Sequence, residues 1–254
     1  MADKTFPLGI DVGGSGIKGA PVDLSRGEFA AERLRIDTPE HSTPQNVIDI
    51  IAGVAETFVA QSGDRPIGVT VPAVVTHGVV RTAANIDDSW IDADAAELLR
   101  ERLGRPVTVL NDADAAGVAE MQFGAGRGVP GTVLLATLGT GIGTALFVDG
   151  VLVPNTEFGH VELDGHDAES RAANSARKTE DLSWDKWAER LHRYFSHLEG
   201  LLWPDLIIVG GGVSKKSEKF LDLLDLRSKI IPAQLQNDAG IIGAAYQAEL
   251  DSSR

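Results

Sequence analysis

The sequence predicts an α/β protein made of two related lobes, and three features lead to that expectation. The first is a pair of similarly built glycine hairpins, LGIDVGGSGIKGAPVDL near the start and TVLLATLGTGIGTALFVDG near the middle. Each opens one half of the chain. The second lies between them: VTVLNDADAAGVAE (Val107 to Glu120) passes from a buried strand directly into a helix of small residues. That step leaves Asn111 and Asp112 at the carboxyl edge of a sheet, where α/β proteins bind ligands. The third is a further buried strand, DLIIVGGGVS (Asp205 to Ser214), which runs into another glycine loop.

Composition narrows the function classes. A chain of 254 residues can build one large domain or two modest lobes around a real core. A hydrophobic fraction of 43% and a charged fraction of 24% are ordinary for a globular enzyme. The net charge of -14 argues against a nucleic-acid-binding surface and against anionic membranes. Any anionic substrate must therefore be met locally, by backbone N–H groups and a few lysines. With no cysteine, disulfides and thiolate metal sites are excluded. The opening MADKTFPLGIDVGG has no apolar leader, and no run approaches the ~20 apolar residues of a membrane span. A cytoplasmic protein is expected.

The first hairpin alternates Leu8, Ile10 and Val12 with Gly9, Asp11 and Gly13, then turns through Gly13-Gly14-Ser15-Gly16. Its glycines let N–H groups crowd around an anion, Ser15 and Lys18 add side-chain donors, and Asp11 can hold a metal through water. GSGIKG matches the dinucleotide pattern literally, but Gly19, Pro21 and Gly27 exclude the helix which that pattern requires. Thr43-Pro44 starts a helix with Val47, Ile50, Ile51, Val54, Phe58 and Val59 on its apolar face. Ile67 to Val75 is a strand running into a turn at Pro72. Thr82 to Trp90, TAANIDDSW, is an irregular polar loop, either a surface turn or a sugar-binding edge. A helix from Ala93 to Leu103 leads back to the Val107 strand.

Asp112 then stands at a helix N-terminus, where the dipole favours an ionised carboxylate, so it is a candidate general base. Plain N-capping by Asn111 and Asp112 is the competing reading. The second hairpin turns around Leu138-Gly139-Thr140-Gly141. Glu157 to Glu169, EFGHVELDGHDAE, gathers acids and histidines into either a polar sugar site or a solvated loop, with zinc disfavoured. From Leu182 to Trp203 an amphipathic helix carries Trp184, Trp187, Leu191, Tyr194, Leu198 and Leu201 as a stripe for the core or a dimer face. Lys215, Lys216 and Lys219 form the densest positive patch. NDAGIIGAAYQAEL closes the chain as a helix of small residues suited to tight packing on an early element.

Taken in order, DVGGSGIK, NDADAAG, TLGTGIG, EFGH and GGGVS resemble the sugar kinases of the ROK family, named for repressors, open reading frames and kinases, over essentially the whole chain. The resemblance implies a two-lobed actin/hexokinase-like (ribonuclease H-like) α/β fold with a ligand cleft. Residues 1–111 with the C-terminal helix 239–254 would form the small lobe, and 112–238 the large one. It implies phosphoryl transfer from inorganic polyphosphate, ATP or both to the 6-hydroxyl of glucose or mannose, with Mg²⁺ as cofactor and a homodimer as the assembly. Asp112 matches the catalytic base. Asn85, Asn111, Glu157, His160 and Glu169 match sugar-binding positions. Asp11, Gly13, Gly14, Ser15, Gly16 and Lys18 match the first phosphate motif, with Asp11 toward Mg²⁺. Gly139, Thr140 and Gly141 match the second. Gly211 and Gly212, followed by Lys215, match the adenosine motif. One departure stands out: the cysteine-rich zinc loop of most members is replaced here by GHDAESRAANSARK. His160 is then expected to serve the sugar alone. No helix-turn-helix precedes Leu8, so the repressor branch is not expected. The rival expectations are a non-catalytic sugar sensor, a strictly ATP-dependent glucokinase and an actin-like filament protein.

Overall fold

The computed structural model describes residues 4–83 and 86–253. Its principal elements are β1 (Leu8–Gly13), β2 (Gly16–Asp23), β3 (Glu28–Phe29), β4 (Leu34–Ile36), α1 (Pro44–Thr57), β5 (Ile67–Val71), α2 (Ala95–Leu103), β6 (Val107–Asn111) and α3 (Asp112–Phe123). They continue with β7 (Thr132–Leu138), β8 (Ile142–Val148), β9 (Val151–Val153), α4 (Asn174–Thr179), α5 (Trp184–Leu202), β10 (Leu206–Gly210), β11 (Lys229–Pro232) and α6 (Ala239–Ser252). Two compact units result, Met1–Ala119 with Asp238–Arg254, and Glu120–Asn237. The division falls inside α3, past the Asn111-Asp112 step where the sequence suggests it. The reason is packing: Leu110, Ala115 and Ala244 form one apolar cluster, which ties the first turns of α3 to α6.

In the first unit the sheet runs β3-β2-β1-β5-β6, with β4 paired to β2. β1 and β2 form the antiparallel hairpin, while β1, β5 and β6 lie parallel in register. Thr43 caps α1 by accepting the Asn46 N–H, and Pro44 fills the first turn. The helix buries Val47, Ile48, Ile51, Val54 and Ala55. Val59 is instead 61% exposed, because the backbone leaves helical geometry at Phe58 and rotates the next side chain outward. The polar loop also holds a surprise. Trp90 is a core residue at 1% exposure, and its indole N–H donates to the Ser42 carbonyl at 2.8 Å. On the other face α6 lies across β1, β5 and β6 at backbone distance. A Cβ on Gly9 would stand 1.9 Å from the Ile241 carbonyl oxygen, and one on Gly68 1.9 Å from that of Ala244.

The second unit repeats the plan. Its sheet runs β9-β8-β7-β10-β11, an antiparallel hairpin β7/β8 beside parallel β7, β10 and β11. Ser183 caps α5, which buries Trp187, Leu191, Tyr194, Phe195 and Leu198. The apolar stripe is therefore core, although Leu201 at its end is 61% exposed. No helix among the described residues is long and apolar enough to cross a membrane.

Overpacking a tight core typically costs about 1–3 kcal/mol, and more where backbone must move. Gly68→Ala should therefore lower the unfolding free energy by at least about 3 kcal/mol. Gly53 is the contrast, a mid-helix glycine where an added Cβ would meet nothing within 4 Å. Gly53→Ala should stabilise by up to about 1 kcal/mol. Denaturant unfolding of both variants checks the pair, and a neutral Gly68→Ala would remove the close-packing argument.

Candidate active site

In the first unit, strand register sets the site. Asp11 pairs opposite Lys18 across the hairpin and opposite Thr70 on β5. The Lys18 ammonium lies 3.2 Å from Asp11 Oδ2, and the Thr70 hydroxyl donates to Oδ1 at 2.9 Å. The start of α6 is close by, since a Cβ on Gly240 would stand 3.4 Å from Asp11 Oδ1. Its helix dipole favours a carboxylate there. At the hairpin tip Arg35 donates to the Ser15 carbonyl at 2.7 Å and to Asp37 at 2.6 Å, while Thr38 donates to the Gly13 carbonyl. Sequence patterning gives no sign of Arg35. It reaches the glycine turn because the three-residue strand β4 pairs Arg35 with Lys18, a register that no spacing announces.

One register step away, β6 ends in Asn111. Its side-chain oxygen accepts the N–H groups of Ala113 at 2.7 Å and Asp114 at 3.1 Å, and its amide donates to the Ala73 carbonyl at 3.1 Å. Asn111 is thus a buried cap that fixes the helix start. Asp112 follows as the first residue of α3, with an exposed carboxylate whose Oδ1 accepts the Ala113 N–H at 2.9 Å. Asn85 lies outside the described residues.

The second unit builds a glycine turn and a polar loop against each other. The Gly139 N–H donates to the Gly141 carbonyl at 2.9 Å, closing the turn with Thr140 exposed at its tip. Glu169 reaches under it, accepting the Ile142 N–H at 2.9 Å through Oε2. A Cβ at 141 would stand 2.3 Å from that oxygen, so a larger residue there would push the Glu169 carboxylate aside. Gly211 (φ 80) is constrained by backbone, its Cβ position lying 2.8 Å from the Leu138 carbonyl oxygen. The third glycine loop is therefore seated on the base of the second hairpin, and Gly212 and Lys215 are exposed residues of the 3₁₀ segment that follows, Gly212–Lys219, which buries Val213 and Ser214.

Glu157 and His160 flank a short turn that is pinned at Phe158, through both its N–H and its carbonyl. The Phe158 N–H donates to Thr144 Oγ1 at 3.1 Å, and the buried Tyr194 hydroxyl donates to the Phe158 carbonyl at 3.2 Å. Partial shielding from water holds the Glu157 carboxyl above its usual range, His160 opposing this and Glu169 adding to it. His160 Nδ1 lies 2.9 Å from Asp167 Oδ2, and this hydrogen bond is the main cause of a raised imidazole pKa. Asp167 also accepts the Glu169 N–H at 3.1 Å, so one carboxylate aligns both neighbours. Nothing in the acid-rich stretch tells which acid meets the ring. Donor atoms of His160, Asp167 and Glu169 lie within 4.8 Å of one another, a nitrogen-and-carboxylate set with no thiolate. The structure thus groups Glu157, His160 and Glu169 in one unit and Asp11, Lys18, Asn111 and Asp112 in the other.

The chain is similar to known proteins over nearly its whole length. The sequence profile of the ROK family matches residues 7–171. A polyphosphate glucokinase of Mycobacterium tuberculosis (strain CDC 1551 / Oshkosh) is 50% identical over 247 residues, covering 97% of this chain and 92% of its own. The crystal structure of inorganic polyphosphate/ATP-glucomannokinase from Arthrobacter sp. strain KM matches with a TM-score of 0.92 and 52% identity, over 98% of this chain and 100% of that one. A ROK family glucokinase from Streptomyces griseus, solved with glucose and AMPPNP, shares the fold with a TM-score of 0.80 at 24% identity, over 96% of this chain and 99% of that one.

Removing the Asp167 carboxylate should return His160 toward its ordinary value of 6.5. NMR titration of the His160 ring in wild type and Asp167→Asn checks this. A raised folded-state pKa means that the imidazolium stabilises the fold fully below the unfolded pKa, and that this is lost as pH rises through the folded value. Stability should therefore depend less on pH across that window in the variant. Coincident titration curves would detach Asp167 from His160.

Proposed function

The chain belongs to the ROK family, and on that footing we propose that it is a hexose kinase, transferring the terminal phosphoryl group of inorganic polyphosphate or ATP to the 6-hydroxyl of glucose. Mannose is the second acceptor in this reading, and a cytoplasmic homodimer its form. The observation that carries the chemistry is Asp112, an exposed carboxylate held at a parallel strand's carboxyl end by the buried Asn111 cap.

Phosphoryl transfer asks a protein for alignment and charge neutralisation more than for covalent help. Asp112 accepts the proton of the sugar 6-hydroxyl as the new oxygen–phosphorus bond forms. The bond to the bridging oxygen breaks, and the donor leaves as ADP or as polyphosphate shortened by one phosphate. For the phosphates, the first unit offers the N–H groups of the Gly13 to Gly16 turn and Lys18, and the second offers the N–H groups of Thr140 and Gly141 with the Thr140 hydroxyl, the Gly139 N–H being used inside its own turn. Gly211, Gly212 and Lys215 receive the rest of the donor. Asn85, Asn111, Glu157, His160 and Glu169 pair the sugar hydroxyls, since a buried unpaired polar group costs roughly 1–3 kcal/mol. His160 meets the sugar through Nε2, because Asp167 holds Nδ1.

Mg²⁺ fits the first hairpin in one way. It prefers oxygen ligands and keeps several waters. Both Asp11 oxygens are already engaged, by Lys18 and Thr70, so the carboxylate would hold the ion through water. When bound, the ion neutralises phosphate charge.

Two expected outcomes test this reading. Asp112→Asn should keep the fold and sugar binding but lower kcat by roughly 10²-fold or more in a coupled glucose 6-phosphate assay. Near-wild-type turnover in the folded variant would take Asp112 out of the mechanism. In the same assay with each donor supplied separately, Lys215→Ala with Lys216→Ala should raise KM for long polyphosphate far more than for ATP. Equal effects would assign these lysines to the nucleotide or to the fold.

A further inference from the structure

We propose that Arg177, Lys178 and Lys219 form an outer subsite for the tail of a linear polyphosphate, beyond the phosphate that is transferred; this rests on the polyphosphate-donor reading above. The connecting element is α4. Its second residue, Ser175, donates through N–H to the Gly139 carbonyl at 3.1 Å and through Oγ to the Thr140 carbonyl. The short helix is thereby anchored on the phosphate-type turn, and its far end carries Arg177 and Lys178.

Trp184 then brings a second cation to the same place. The Arg177 guanidinium lies 4.2 Å from the Trp184 ring centroid, and the Lys219 ammonium lies 5.6 Å from that centroid. Trp184 stacks on the buried Phe220 at 6.0 Å with an interplanar angle of 10°, so the platform is fixed by the core. Lys219 ends the 3₁₀ segment that begins at Gly212 and also exposes Lys215 and Lys216. The cations therefore continue outward from the two glycine turns along two segments that meet at one tryptophan.

Charge balance points to an anion. Among the described residues none of Arg177, Lys178, Lys215, Lys216 and Lys219 has a carboxylate within ion-pair distance, although the chain carries a net charge of -14. The acid next along the chain, Glu180, is taken by Arg190 through hydrogen bonds of 2.6 and 2.9 Å. Asn174 Oδ1 accepts from Arg177 Nε at 3.2 Å, which orients the guanidinium while leaving its two terminal nitrogens to face a ligand. Glu218 and Asp185 are exposed nearby in sequence, so the strip suits a chain threading between cations rather than diffuse anion binding. A nucleotide concentrates its charge at one end. A polyphosphate repeats it at every unit, and only the latter can use cations beyond the turns.

The test compares KM for ATP, for tripolyphosphate and for long-chain polyphosphate. Lys178→Gln with Lys219→Gln removes two exposed charges and should raise KM for the long chain by about fivefold to tenfold, with kcat kept. KM for ATP and tripolyphosphate should change by less than about twofold, and the salt dependence of long-chain use should flatten. Arg177→Gln should act in the same direction, while Arg177→Lys, which retains the charge, should restore most of the affinity. Lys229→Gln, an exposed lysine elsewhere in the unit, is the control. An equal rise for all three donors, or no rise for the long chain in an enzyme that uses it, would overturn the subsite. A wild-type enzyme that turns over ATP but no polyphosphate would overturn the donor reading itself, and the subsite with it.

Discussion

The first unit depends on how closely α6 approaches the sheet and the start of α3. Gly9, Gly68 and Gly243 stand where any Cβ would enter a carbonyl of Ile241, Ala244 or Ala115. With no side chains to hold them apart, helix and strands lie at backbone contact, and the first turn of α6 comes to rest beside Asp11. The parallel register of β1, β5 and β6 then sets Asp11 beside Thr70 and brings Asn111 one step further along the neighbouring strand. A lysine and a threonine each engage one Asp11 oxygen, and the Asn111 cap holds the peptide from which Asp112 projects. Each polar group here is positioned by another.

The second unit solves a different problem. A loop rich in acids and histidines must be ordered without cysteine ligands. Hydrogen bonds do it: Glu169 is fastened under the Gly141 turn, Asp167 aligns His160 and the Glu169 backbone, and Tyr194 holds the Phe158 carbonyl. Burial pushes the Tyr194 phenol well above its usual range, so it stays a neutral donor. The loop is tied to the second hairpin through Glu169 and Phe158, which couples Glu157, His160 and Glu169 to the Gly139–Gly141 turn within a single unit.

Much of this is legible in the sequence. Both hairpins, the Asn-Asp strand end, the Thr43-Pro44 helix start and the small-residue C-terminal helix follow from local causes: period-two alternation, glycine turns, caps and the absence of bulky side chains. Local periodicity also overreaches. Val59 and Leu201 continue an apolar pattern beyond the point where the helix geometry or the covering core stops, and Trp90 reads as the tip of a polar loop, surface turn or sugar-binding edge, although its ring fills the core.

By itself, then, the order of motifs determined the fold class, the family and the candidate base, because each motif is a contiguous stretch whose chemistry travels with it. Tertiary structure alone decided which side chains from distant segments meet. Arg35 arrives at the first glycine turn through the pairing of a three-residue strand, Asp167 is chosen from several acids by the direction of one imidazole, and Arg177 and Lys219 converge on Trp184. Register and side-chain packing are properties of the assembled chain, and a linear sequence carries them only implicitly.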